Sequence, residues 1–153
     1  MLGLMHWISP VTLLLASHAL AADDYQPAEW HSDDRVLSCA PKTVPADGTL
    51  VLTLGPGHGR ELAVRRVSDG AWFFLVVGAP PYDVPQLMTT DEFAAAARVE
   101  IPASFQTRAW AIGAVMEPLL GHPGEYELYV SDILESEVGG YTCGFSYQGM
   151  SPN

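Results

Sequence analysis

From Asp23 onward the chain carries three histidines, His31, His58 and His122, and three methionines, Met88, Met116 and Met150. Histidine with methionine suits a soft metal such as copper. No two of these histidines lie at ligand spacing, so His58 and His122 would have to meet in space to share an ion. They are the only metal candidates, and the expectation is no resident metal or cofactor. His58 sits in the most unusual loop, Gly55-Pro56-Gly57-His58-Gly59-Arg60-Glu61. Glycines there could turn N–H groups toward an anion beside Arg60. The run fits neither a phosphate loop nor a dinucleotide fingerprint. It reads as a hairpin turn, with Gly57, His58, Gly59 and Arg60 as a candidate partner-contact loop.

Other chemistry finds little support. The chain has no G-x-S-x-G and no H-E-x-x-H. The neighbouring carboxylates Asp91-Glu92 and Glu125/Glu127 fall on a helix cap and an outward strand face, where solvation is the ordinary outcome. Glu135 and Glu137 read as a solvated rim or an acidic docking edge. No residue is assigned a catalytic role, and the expectation is that the protein is not an enzyme.

Cys39 and Cys143 are the only cysteines. Their meaning depends on compartment. Met1–Ala21 has no charged side chain, an apolar run at Val11–Ala16 and the ending Ala19-Leu20-Ala21, after which Asp23 and Asp24 follow. This predicts a signal peptide over 1–21, cut after Ala21 or Ala22, and a single domain over 22–153. The alternative is an uncleaved N-terminal anchor. No later segment has the roughly 18 apolar residues of a spanning helix. Export to the periplasm or the medium favours a Cys39–Cys143 disulfide over two buried thiols.

The formal charge of −11, from 18 acidic and 7 basic residues, argues against nucleic-acid binding, which needs clustered Lys and Arg. It favours a basic partner, or simply solubility. The only Asn is Asn153, so there is no glycosylation sequon.

These residues must be positioned by strands. Gly121–Tyr147 is the organising stretch. Tyr126, Leu128 and Val130 alternate with Glu125, Glu127 and Tyr129, and Tyr141, Cys143, Phe145 and Tyr147 share one face of the next strand. Between them lies a connection with Asp132, Glu135 and Glu137. Upstream, Val36–Cys39, Thr49–Leu54 and Glu61–Val67 read as strands. Ala71–Val77 is apolar on both faces and is expected at the centre of the fold. Asp23–Asp34 reads as an extended arm. Thr89-Thr90-Asp91-Glu92 matches a capping box and opens the one helix. Val99–Ile101 and Thr107–Met116 are further strands, the latter ended by Pro118. About seven to nine short strands with frequent turns predict an all-β, antiparallel β-sandwich with one short inserted helix.

Glu137-Val138-Gly139-Gly140-Tyr141-Thr142-Cys143, E-x-G-x-Y-x-C, resembles the penultimate strand of immunoglobulin domains, and Val36–Cys39 the matching early strand. Pro123–Val130 resembles the late strand of bacterial immunoglobulin-like sandwiches. No Trp follows Cys39 closely, Trp72 being the nearest, and the cysteines are 104 positions apart. The resemblance therefore implies sandwich architecture and nothing about partners. As a whole the chain resembles small exported bacterial proteins. The expected function is a non-enzymatic binding module with a protein partner. A sharper form is an inhibitor of a basic envelope enzyme such as lysozyme, although the S-G-x-Y signature of one such family is missing. A copper-binding protein is the third reading.

Overall fold

The computed structural model describes residues 29–80, 83–111, 113–132 and 139–149. The expected leader, Glu135, Glu137 and Met150 lie outside them. Among the described residues there are eleven strands and one short helix. They are β1 Glu29–His31, β2 Leu37–Ala40, β3 Thr43–Val44, β4 Thr49–Leu54, β5 Glu61–Arg66, β6 Trp72–Val76, α1 Thr90–Ala95, β7 Arg98–Pro102, β8 Gln106–Thr107, β9 Glu117–Pro118, β10 Gly124–Ser131 and β11 Gly139–Tyr147. The fold is all-β. No helix among them is long and apolar enough to cross a membrane.

The larger sheet runs β1-β11-β10-β5-β6, with β3 also on β11. The smaller runs β2-β4-β7, and β8 pairs with β9 alone. The organising stretch supplies the middle of the larger sheet: Tyr126 faces Phe145, Leu128 faces Cys143 and Val130 faces Tyr141. The expected alternation holds, since Tyr126, Leu128 and Val130 are buried while Glu125 is exposed. β4 matches its expected range, with Leu50, Leu52 and Leu54 inward. Inner-face residues of both sheets, among them Leu37, Leu52, Ile101, Val64, Phe73 and Leu128, belong to one buried cluster. The Cys39–Cys143 disulfide joins β2 to β11 across it, with Cα atoms 6.2 Å apart.

The capping box is present as read. The Thr89 hydroxyl accepts from the Glu92 N–H at 3.2 Å, and the Glu92 carboxylate accepts from the Thr89 N–H at 2.8 Å. Phe93 is the buried residue of α1.

Three expectations need correction. The pairing is not wholly antiparallel: β1 and β3 both run parallel to β11, on the edge that β10 leaves open. The arm before β2 is thus partly a strand. Second, Ala71–Val77 is not central, because β6 forms the outer edge of the larger sheet. Its edge is covered instead by loop atoms. Gln86 accepts from the Val77 N–H at 2.9 Å and donates to the Phe74 carbonyl at 3.1 Å. The Leu87 N–H donates to Leu75 at 2.8 Å, and the Trp110 N–H donates to Trp72 at 2.7 Å. An apolar strand with a covered edge has no template left for another chain. Third, Thr107–Met116 is not a strand. Only Gln106–Thr107 pairs, with Glu117–Pro118, so Pro118 lies in a strand rather than ending one. A two-residue ladder has no need of the proline's missing N–H on its outer side.

Candidate docking surface

Alternation places one set of side chains on the face of the larger sheet turned away from the core. Register aligns Tyr129 with Ala63 and Ala63 with Phe74, and aligns Glu127 with Arg65 and Arg65 with Trp72. Trp30 of β1 lies opposite Gly140. Ala63 is small and fully buried although it points away from the core, because rings cover it. The rings form a row. Trp30 meets Tyr129 edge-on at 4.7 Å, and Tyr129 meets Trp72 at 5.0 Å. Trp72 stacks with Phe74 at 6.4 Å, and Phe74 meets Trp110 edge-on at 5.9 Å. Such cross-strand aromatic contacts each stabilise a sheet by roughly 0.2–1 kcal/mol.

A polar group borders the row. Arg65 donates to Glu127 at 3.1 Å, and the Tyr129 hydroxyl donates to the same carboxylate at 2.5 Å. Burial, and then this hydrogen bond, push the Tyr129 phenol up to about 12. Tyr129 therefore stays a neutral donor at ordinary pH and holds Glu127 against the sheet.

The row ends at the segment between β8 and β9. Trp110 is 56% exposed, Val115 77% and Met116 42%. Trp110 is tied down through its backbone N–H, while its indole leans on Phe74. Gly113 turns the chain at φ +80°, a value few other residues adopt.

The residues singled out from sequence lie elsewhere. His58 is only 4% exposed. Its Nδ1 lies 3.0 Å from the Gly55 carbonyl and its Nε2 2.9 Å from the Phe93 carbonyl, with the ring edge-on to Phe93 at 5.1 Å. Arg60 pairs with Asp91 in the first turn of α1. Loop 55–60 is thus fastened to α1 at two points. Gly57 and Arg60 remain exposed, while Gly59 packs on the Ser131 backbone. His122 is exposed and lies 3.6 Å from Glu117, which also sits 3.6 Å from Arg66. The structure does not bring His58 and His122 to common partners. Among the described residues no three His, Cys, Asp or Glu side chains gather closely enough to hold a metal. Met88 packs against the core cluster and Met116 is exposed. Of the acidic connection, Asp132 is described and exposed.

Sequence reasoning missed the aromatic row. Its signal was present: Trp72 and Phe74 are two apart in a strand, and both faces of that strand are apolar. The unbroken apolar run Ala109–Met116 is the second signal, and its composition alone reads as a strand. Comparison of the chain with protein-family models, curated proteins and solved structures finds no match. The class is therefore set by the fold alone: an all-β domain stapled by one disulfide.

Proposed function

We propose that this is an exported, non-enzymatic binding module of the periplasm or the extracellular space. Its protein partner docks on the outer face of the larger sheet. The observation that carries this reading is the continuous aromatic row from Trp30 to Trp110, ending in a tryptophan that is more exposed than covered. Trp, Tyr and Arg are the side chains that most often dominate protein interfaces, and contiguous exposed apolar surface marks such sites. The disulfide supports an oxidising compartment. The polar residues that could have suggested catalysis are engaged structurally, as with His58 between two carbonyls and Glu92 on its cap.

An immunoglobulin-like assignment draws support from the cross-sheet disulfide and from the Tyr126 hydroxyl, which donates to the His122 carbonyl four residues upstream at 2.7 Å. In immunoglobulin domains that tyrosine and the second cysteine share a strand. Here they lie on the adjacent β10 and β11, so the likeness is one of architecture.

The test is capture from envelope and secreted fractions on the immobilised protein, followed by competition with free protein. A partner retained and competed away supports the reading, and no competed partner at micromolar protein refutes it. The narrower form, inhibition of a basic enzyme such as lysozyme, draws on the acid excess. Unchanged lysozyme turnover at micromolar protein retires it. The copper reading has less support, because both ring nitrogens of His58 already face backbone oxygens.

A further inference from the structure

Resting on the binding reading, a second inference concerns how the partner is engaged. The segment Ala109–Met116, AWAIGAVM, has no ionisable, hydroxyl or amide side chain, and lies between Arg108 and Glu117. Of its described residues, Trp110, Ala111, Gly113, Val115 and Met116 are exposed. Large apolar side chains held in water this close together are a fault in a protein unless something covers them. Its ends are fixed by the β8–β9 ladder and by the Trp110 N–H on Trp72. Between those anchors Trp110, Val115 and Met116 present apolar side chains to water.

We propose that these exposed side chains, Trp110, Val115 and Met116, dock into an apolar cleft of a cationic protein. Charge selects the occupant. The chain carries −11, and every charged side chain lies from Asp23 onward. Arg35, Arg60, Arg65, Arg66 and Arg98 are each already paired with a carboxylate of the same chain. The outer face beside the row bears Glu125 and Glu127 against the single Arg65. A second copy would bring two such anionic surfaces together, and an anionic bilayer would repel them. A cleft rimmed with Lys or Arg complements both the exposed apolar side chains and the negative charge of the chain, and such rim charges speed encounter and set specificity. Trp110 supplies a large rigid anchor, and Met116 an adaptable one.

The test uses the full exported chain and defined probes. These are a synthetic amphipathic peptide with leucine on one face and lysine on the other, its glutamate-for-lysine counterpart, and vesicles of phosphatidylcholine with or without phosphatidylglycerol. Calorimetry and tryptophan emission are read for the wild type, Trp110→Ser and Val115→Asp. Val115 is so exposed that its replacement leaves the fold intact, which circular dichroism checks. The lysine peptide should bind saturably, more weakly at high salt, and about tenfold or more weakly in both variants. Equal affinity for the glutamate peptide, unchanged affinity in Val115→Asp, no binding at all, partition into vesicles instead, or self-association in sedimentation each overturns the proposal. If an envelope partner is captured equally by wild type and Val115→Asp, this inference fails while the binding reading stands. If neither captures one, the binding reading itself fails.

Discussion

Cutting the Cys39–Cys143 bridge tests how much of the stability comes from restraint of the unfolded chain. The two residues are 104 apart and both are buried at the junction of the two sheets. A cross-link closing a loop of about 100 residues removes unfolded-state entropy worth about 4.7 kcal/mol at 25 °C. A domain of ordinary stability holds only about 5–15 kcal/mol in total. The folded state retains other ties between the sheets. Leu37, Leu50 and Leu52 still pack in one cluster with Leu62, Phe73 and Leu128. The Cys39→Ala/Cys143→Ala double variant should therefore fold at 25 °C but lose about 4–5 kcal/mol. With a urea slope of about 2 kcal/mol per molar, the midpoint falls by about 2 M. The slope should also steepen, because the released unfolded chain exposes more surface. Urea unfolding followed by near-ultraviolet dichroism, with and without reductant on the wild type, measures both. A loss below about 1 kcal/mol with an unchanged slope would refute the reasoning, and would mean that the unfolded chain already keeps the two segments together.

Three further outcomes are expected. His58→Ala removes a buried ring and its contacts with two carbonyls, so it should cost about 2–4 kcal/mol in urea unfolding; a cost under about 0.5 kcal/mol would show that loop 55–60 holds itself. Gly140→Ala places a methyl against the Val130 carbonyl oxygen at the end of the β10–β11 ladder, and should destabilise by about 1–3 kcal/mol or more; an unchanged midpoint would disprove that tight approach. The Tyr129 phenol is raised from 10.0 to about 12, and burial also raises that of Tyr126. The unfolded tyrosine then loses its proton before the folded one, so stability is full below pH 10 and falls as pH climbs from there toward 12. Tyr129→Phe should flatten that decline in alkaline urea midpoints, and identical slopes in the two proteins would rule the linkage out.

The elements legible in the sequence are those fixed by short-range rules. Thr49–Leu54 shows strict alternation, Thr89 and Glu92 cap each other across three residues, and the faces of β10 and β11 follow from period two. What could not be read depends on distant partners. β1 and β3 are two or three residues long and exist because β11 offers them an open edge. The double apolar character of Trp72–Val76 looks the same whether neighbouring strands or loop atoms cover it. Here Gln86 and Leu87 from the following loop and Trp110 from farther along the chain do the covering. Likewise the apolar run 109–116 has the composition of a buried strand, and only the tertiary structure shows that Trp110, Val115 and Met116 face water. His58 was singled out for its glycine setting, yet that setting lets the chain bury the ring against α1.

The aromatic row and the exposed residues beyond it differ in how much packing they share. Trp30, Tyr129, Trp72 and Phe74 are half-buried in one another, so truncating any of them should loosen the sheet as well as weaken a partner that docks there. Trp110, Val115 and Met116 contribute little packing, and their exposed area is what a partner would remove from water. The two meet at Trp110, whose backbone seals the β6 edge while its ring extends the row. Because the backbone bond survives any substitution other than proline, side-chain changes at Trp110 separate docking from folding. Trp110→Pro would remove the N–H that donates to Trp72, and should disturb both together.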